Sequence, residues 1–187
     1  MGSEMCIRDS VDPHRSVGST PQLIRTIADA VGKPDAGEAL VKRTQEQIDQ
    51  AKKQIAAWKP AKPMRVAFLY VRGNAGVFFI LGSENGASEL IQGVGADDVA
   101  SDKGITTLVP ANAESLVSIN PDAIFVMRDG LASTGGMKGL LARAGVANTT
   151  AGRKQRVISI PDGISLSFGP QTGEVLTAVA KALYGVK

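Results

Sequence analysis

The chain has 187 residues, 43% of them hydrophobic and 21% charged, with a net charge of +3; that is the balance of a globular chain with room for a sizeable core. Its single cysteine, Cys6, excludes an intrachain disulfide and a cysteine-based zinc site. Its Lys and Arg residues are scattered, without a cluster or interleaved aromatics, so nucleic acid is not an expected partner.

The opening "MGSEMCIRDS" has no helical or strand periodicity and no apolar stretch of the kind a signal peptide needs. Residues 1–16 are therefore expected to be a non-native or unstructured leader, with the natural start lying upstream. Thr20-Pro21 predicts a helix opening, a hydroxyl followed by proline at the first helical position. Leu23, Ile27 and Val31 predict its inner stripe and Gly32 its end. Pro34 opens a second helix reaching Trp58, with Leu40, Thr44, Ile48, Ala51, Ile55 and Trp58 on one stripe. Glu38 with Lys42, and Asp49 with Lys53, stand at favourable spacing for ion pairs along it. At roughly 36 Å this helix is long enough to act as a spine. The proline-punctuated "KPAKP" at 59–63 reads as a linker.

From residue 64 the pattern alternates between β and α units. Strands are predicted at 65–72, 104–109, 122–127 and 156–160, with helices around 86–94, 112–119, 137–144 and 170–184. Short, continuously apolar strands joined by crossover-length connections predict an α/β fold, a Rossmann-like parallel sheet flanked by helices. In such sheets ligands bind beyond the carboxyl ends of the strands. Tyr70, Arg72 and Met127 lie at those ends, and alternation places Phe68, Tyr70 and Arg72 on one face of their strand.

The motifs of common enzymes are absent. No phosphate-binding G-x-x-x-x-G-K-[ST] occurs, "GVGADD" lacks the third glycine of a dinucleotide fingerprint, and "GSENG" has glutamate where a nucleophilic serine would stand. The only histidine, His14, sits in the turn-like "DPHRS", which leaves no Ser-His-Asp triad or histidine-rich metal site. The chain reads as a binding protein and not an enzyme.

Residues 17–187 resemble the connecting helix and C-terminal lobe of a class III substrate-binding protein of ABC importers, and more narrowly the haemin-binding lipoproteins of bacterial haem uptake. The stretches that carry the resemblance are "STPQLIRTIADAVGKPDAGEAL", "VAFLYVRG", "ILGSENGASELIQGVGADDV", "ANAESLVSINPDAIFVMRDGLASTGGMKGLL" and "SLSFGPQT". "SLVSINPDAIFV" is shared across the superfamily, whereas "MRDGLASTGGMKGLL" and "FGPQT" are similar to the haem branch. The Tyr-x-Arg of Tyr70 and Arg72 resembles the actinobacterial type.

The resemblance implies three regions: the leader, a remnant of the N-lobe with a long inter-lobe helix at 17–60, and a C-terminal α/β lobe at 64–187. It implies haem as the transported ligand, with Tyr70 as axial ligand to the iron and Arg72 hydrogen-bonded to the phenolate. Met127 offers an apolar wall, and Gly130 and Leu131, in the glycine-rich "DGLASTGG", form part of the rim. The implied partners are an ABC permease and its ATPase, with Glu114 as a docking residue. The implied location is extracytoplasmic, in the periplasm or at the cell surface through a lipid anchor missing from this chain. The relatives take their second axial ligand, a histidine, from the N-lobe; His14 does not match it. Gln171 stands where many relatives are expected to have arginine.

The chemistry agrees with these roles. Ferric iron is a hard ion, and tyrosinate is a known haem ligand. An unperturbed phenol has a pKa of about 10, so a nearby guanidinium favours its ionised form. Without the resemblance, Tyr70 would be an ordinary strand-end tyrosine with its hydroxyl in solvent. Two other readings stay open: the same fold serving a siderophore, cobalamin or another iron chelate, and a small α/β nucleotide-binding domain. With only one lobe, a haem site open on one side is expected to bind more weakly than that of a two-lobed relative.

Overall fold

The structure, a computed structural model, describes residues 15–73 and 76–186. Cys6 and His14, with most of the expected leader, lie outside the described residues. Two helices come first, α1 (Thr20–Ala30) and α2 (Pro34–Trp58). The α/β part runs β1 (Arg65–Arg72), β2 (Val77–Leu81), α3 (Ala87–Gly93), β3 (Asp97–Asp98), β4 (Leu108–Pro110), α4 (Ala113–Ile119) and β5 (Ala123–Met127). It continues with α5 (Arg128–Ser133), α6 (Gly136–Leu141), α7 (Thr150–Arg153), β6 (Val157–Ile160), α8 (Asp162–Ser165) and α9 (Thr172–Tyr184).

The sheet order is β4-β2-β1-β5-β6, with the two-residue β3 also pairing β1. β1, β5 and β6 are parallel, as expected, and the unpredicted β3 is parallel to β1, but β2 pairs antiparallel with both β1 and β4, so the sheet is mixed. "VFFIL" at 77–81, which the pattern reading passed over, folds back on β1 as a hairpin; Gly73 and Gly76 at positive φ supply its turn. β4 needs the β2 edge to pair with, so of the predicted 104–109 only Leu108 and Val109 are in the strand, which continues to Pro110.

The core has two layers, one on each face of the sheet. Phe68 and Phe125 meet edge to face at 6.4 Å under α2, α3 and α9, where Ile55, Leu90, Leu176 and Val179 close the layer. On the other face Ala67, Leu69 and Ile124 pack beneath Leu116, Leu140 and Val146. Alternation in β1 therefore divides Phe68 and Tyr70 from Ala67 and Leu69 as the sequence predicts. Asp98, at the end of β3, is buried among these layers. It accepts from the Ser88 hydroxyl and from the Ala100 N–H at 3.0 Å, and burial pushes its carboxyl above the ordinary value.

α2 keeps its predicted span, and Thr44, Ile48, Ala51 and Ile55 are buried as the stripe requires. Val41 replaces Leu40 in the buried row, and α9 crosses so closely at Gly173 that a Cβ there would lie 2.7 Å from Gln47 backbone. The expected pairs along α2 do not form: Glu38 accepts from Arg25 of α1 at 2.6 Å, and Asp49 accepts from Gln45 at 2.9 Å. α1 is turned by one residue from its predicted stripe. Thr20, Ile24 and Ala28 face inward, while Ile27 and Val31 are 46% and 60% exposed. The Thr20 hydroxyl, instead of capping the helix, donates to the Ser16 and distant Phe168 carbonyls, and Ala28 packs over Gly37.

Candidate functional site

Three parallel strands, β1, β5 and β6, lie side by side and end at the same edge. Their carboxyl ends deliver Tyr70 and Arg72, then Met127 leading directly into α5, then Pro161 and Asp162 at the start of α8. The strands adopt this order because Val66, Phe68, Phe125 and Val126 are wholly buried and no strand face can be turned to water.

Arg72 is the hub. Its Nη2 donates to Asp162 Oδ1 at 2.6 Å and lies 3.6 Å from Met127 Sδ. Its guanidinium carbon lies 5.2 Å from the centroid of the Tyr70 ring. Nη1 is buried and has no hydrogen-bond partner among the described residues. The second oxygen of Asp162 accepts from the Asp129 N–H at 2.9 Å. The hydrogen bond to Asp162 holds Arg72 above the ordinary arginine value, and burial opposes this. Burial pushes the Asp162 carboxyl up, but the Asp129 N–H and the Arg72 guanidinium outweigh it and leave the group below the usual carboxylate range.

Gly130, in the first turn of α5, is required by this packing. A Cβ there would stand 2.5 Å from the Val71 carbonyl oxygen and 3.0 Å from Arg72 Nη1. The glycine-rich "DGLASTGG" stretch thus begins within a short helix that lies on the end of β1. Ser133 of that helix accepts from the Gly73 N–H at 2.7 Å, and Arg143 donates to the Gly73 carbonyl while stacking 4.8 Å from the Phe78 ring. Gly73, at the end of β1, is thereby held through both its N–H and its carbonyl.

Of the predicted site residues, Tyr70, Arg72, Met127 and Gly130 come together. Leu131 does not join them: it packs with the layer on the opposite face, beside Leu69 and Leu140. Glu114 stands apart and exposed in the first turn of α4, whose first turn is capped by Asn112 accepting from the Ser115 N–H at 2.8 Å. Gln171 lines a neighbouring cleft of about 450 Å³ between β6 and α9, together with Arg128, Pro161 and Glu174. Sequence reasoning missed Asp162, Ser133 and Arg143. Asp162 carried one signal, a "PDG" directly after a strand end, but nothing in the sequence names its partner 90 residues away. Among the described residues no group of three or more His, Cys, Asp or Glu is placed to hold a metal ion. No described helix is long and apolar enough to cross a membrane.

Comparison with known proteins bears on the whole arrangement. Residues 11–163 match the family described as periplasmic binding protein. Among solved structures, the chain is 45% identical to a heme binding protein, HmuT, with a TM-score of 0.91 over 98% of this chain and 61% of that one. It is 35% identical to the periplasmic heme-binding protein RhuT from Roseiflexus sp. RS-1, with a TM-score of 0.85 over 91% of this chain and 64% of that one. It is 31% identical to the periplasmic heme-binding protein BhuT in complex with two hemes, with a TM-score of 0.83 over 93% of this chain and 65% of that one. The chain therefore spans about three fifths of the length of these relatives. No curated protein matches it.

Proposed function

Because the chain belongs to the periplasmic binding protein family, we propose that it is the C-terminal part of a haem receptor that delivers its cargo to an ABC importer. The observation that carries the reading is the pairing of Tyr70 with Arg72 at the carboxyl edge of the sheet, guanidinium 5.2 Å from ring centroid. A phenol beside a fixed cation is suited to bind ferric haem as phenolate, since the positive charge favours the ionised oxygen that a hard ion prefers. The Met127 thioether borders the same spot and suits the apolar porphyrin face. Arg128, exposed at the end of β5, supplies a cation for a propionate.

The protein does no chemistry on haem in this reading; it captures the ligand outside the cytoplasm and presents it to a permease worked by an ATPase. Residues 17–60 belong to the other lobe and the helix joining the two, and 64–187 form the lobe that carries Tyr70. Exposed Glu114 is the candidate contact with permease cations. The comparisons support the haem assignment through relatives that bind heme.

The test is a hemin titration followed by absorbance. The expected result is a shifted Soret band with a tyrosinate-to-iron charge-transfer band, both lost in Tyr70→Phe. A Tyr70→Phe protein with the wild-type spectrum would remove the ligand assignment. A protein that ignores hemin but is stabilised by a ferric siderophore or cobalamin would move the reading to another iron or corrin cargo.

A further inference from the structure

One carboxylate joins all three strand ends. Arg72 leaves β1 and reaches across β5 to the segment after β6, a span of about 9–10 Å at ordinary strand spacing. A side chain this long and mobile does not hold such a pose without an anchor. Asp162 is that anchor, and it is itself fixed on two sides. Oδ1 receives Arg72 Nη2 at 2.6 Å and Oδ2 receives the Asp129 N–H at 2.9 Å, so the carboxylate cannot rotate without breaking one bond. Gly130 leaves the space in which Nη1 lies, and Met127 Sδ touches Nη2 from the side. The fourth side of the guanidinium is the Tyr70 ring.

We propose that Asp162 is a positioning residue for the ligand pair: it holds the Arg72 guanidinium against Tyr70, and so sets the strength of the phenolate's bond to haem iron without touching the haem. This rests on the reading of Tyr70 as the axial ligand. Nη1, buried and without a partner among the described residues, is the donor this arrangement keeps free for the phenolate. The lowered pKa of Asp162 agrees, since it keeps the anchor charged at neutral pH.

Two measurements test the proposal, one without haem. In the ligand-free protein, ¹⁵N-arginine side-chain spectra, assigned with Arg72→Lys, should show resolved and slowly exchanging Arg72 Nη signals. Those signals should collapse in Asp162→Ala and persist in Asp162→Glu. In the hemin complex, Arg72→Ala and Asp162→Ala should each weaken binding about tenfold, the usual scale for a group that orients a metal ligand. Both should shift the iron–phenolate Raman band in the same direction, and the double variant should shift it no further. Asp162→Asn, which keeps one oxygen acceptor, replaces Asp162→Ala if the latter does not fold. Unchanged Arg72 signals in the Asp162 variant, or effects of the two substitutions that add independently, overturn the proposal. If Arg72 loses its signals but hemin gives no tyrosinate band even in the wild type, the anchor stands and the haem reading fails.

Discussion

Gly130→Ala probes the packing on which the site depends. The added Cβ would stand 2.5 Å from the Val71 carbonyl oxygen, whereas ordinary contact begins near 3.4 Å. Val71 is paired with Phe78 of β2 and its side chain is buried, so its backbone yields little and α5 must retreat by about 0.9 Å. Overpacking of this kind costs about 1–3 kcal/mol. The retreat also pulls the neighbouring Asp129 N–H away from Asp162, a bond of 2.9 Å that would pass beyond hydrogen-bonding range if displaced along its length. Against this, alanine in place of glycine favours a helix by at most about 1 kcal/mol. The lost hydrogen bond, worth about 1 kcal/mol, offsets that gain, so the net expectation is a loss of about 1–3 kcal/mol. For a chain of this size that lowers Tm by about 2–12 °C, read by thermal unfolding followed by circular dichroism. The Arg72 side-chain signals should broaden in the same sample, because the Cβ would also crowd Nη1 at 3.0 Å. A variant that melts with the wild type, its Arg72 signals intact, would refute the close approach of α5 to β1.

Gly173→Ala should act in the same way at the crossing of α2 and α9. There the new Cβ meets backbone atoms of Gln47 and Ile48 at 2.7–2.9 Å, nothing can rotate aside, and a loss of about 1–3 kcal/mol is expected in urea unfolding. Asp98→Asn tests the buried carboxyl. Its folded pKa lies above the unfolded value of about 3.9, so the folded state binds the proton more tightly. The stabilisation is full below the unfolded pKa and is lost as pH rises through the folded one. Asparagine can still accept from the Ala100 N–H and donate to Ser88 without ionising. The urea midpoint of the variant should therefore gain on that of the wild type as pH is raised from 4 toward 8 (on the order of the carboxylate range), and a gap independent of pH would contradict the assignment.

Much of the fold could be read from local pattern because its elements declare themselves locally. Pro34 and the apolar row of α2, the continuous apolar runs of β1 and β5, and Asn112 before α4 each carry their own start, period or cap. The short strand β2 did not, since it is extended only because β1 and β4 pair with it, and the strand read at 104–109 is cut to its end because β4 has β2 as its only pairing strand. α1 shows a second kind of failure. Both its rows, Leu23-Ile27-Val31 and Thr20-Ile24-Ala28, have helical spacing, and only the bonds of Thr20 to the Ser16 and Phe168 carbonyls decide which faces inward. The other row, with Leu40 and Pro170, is left as an apolar groove of about 250 Å³.

The site divides along the same line. Alternation within β1 is enough to put Tyr70 and Arg72 on one face, because side-chain direction in a strand is fixed by the backbone pleat alone. The resemblance at Tyr-x-Arg and "MRDGLASTGG" then points to a haem role for that face. What holds Arg72 there is not local. Asp162 is 90 residues further along the chain, and it becomes a neighbour only when β5 and β6 align beside β1 and their ends fall at one edge. The sequence determined which side chains are available and which way the strand presents them; the tertiary structure decided the partner of Arg72, because strand order and register are set by burial of two sheet faces and not by any single segment.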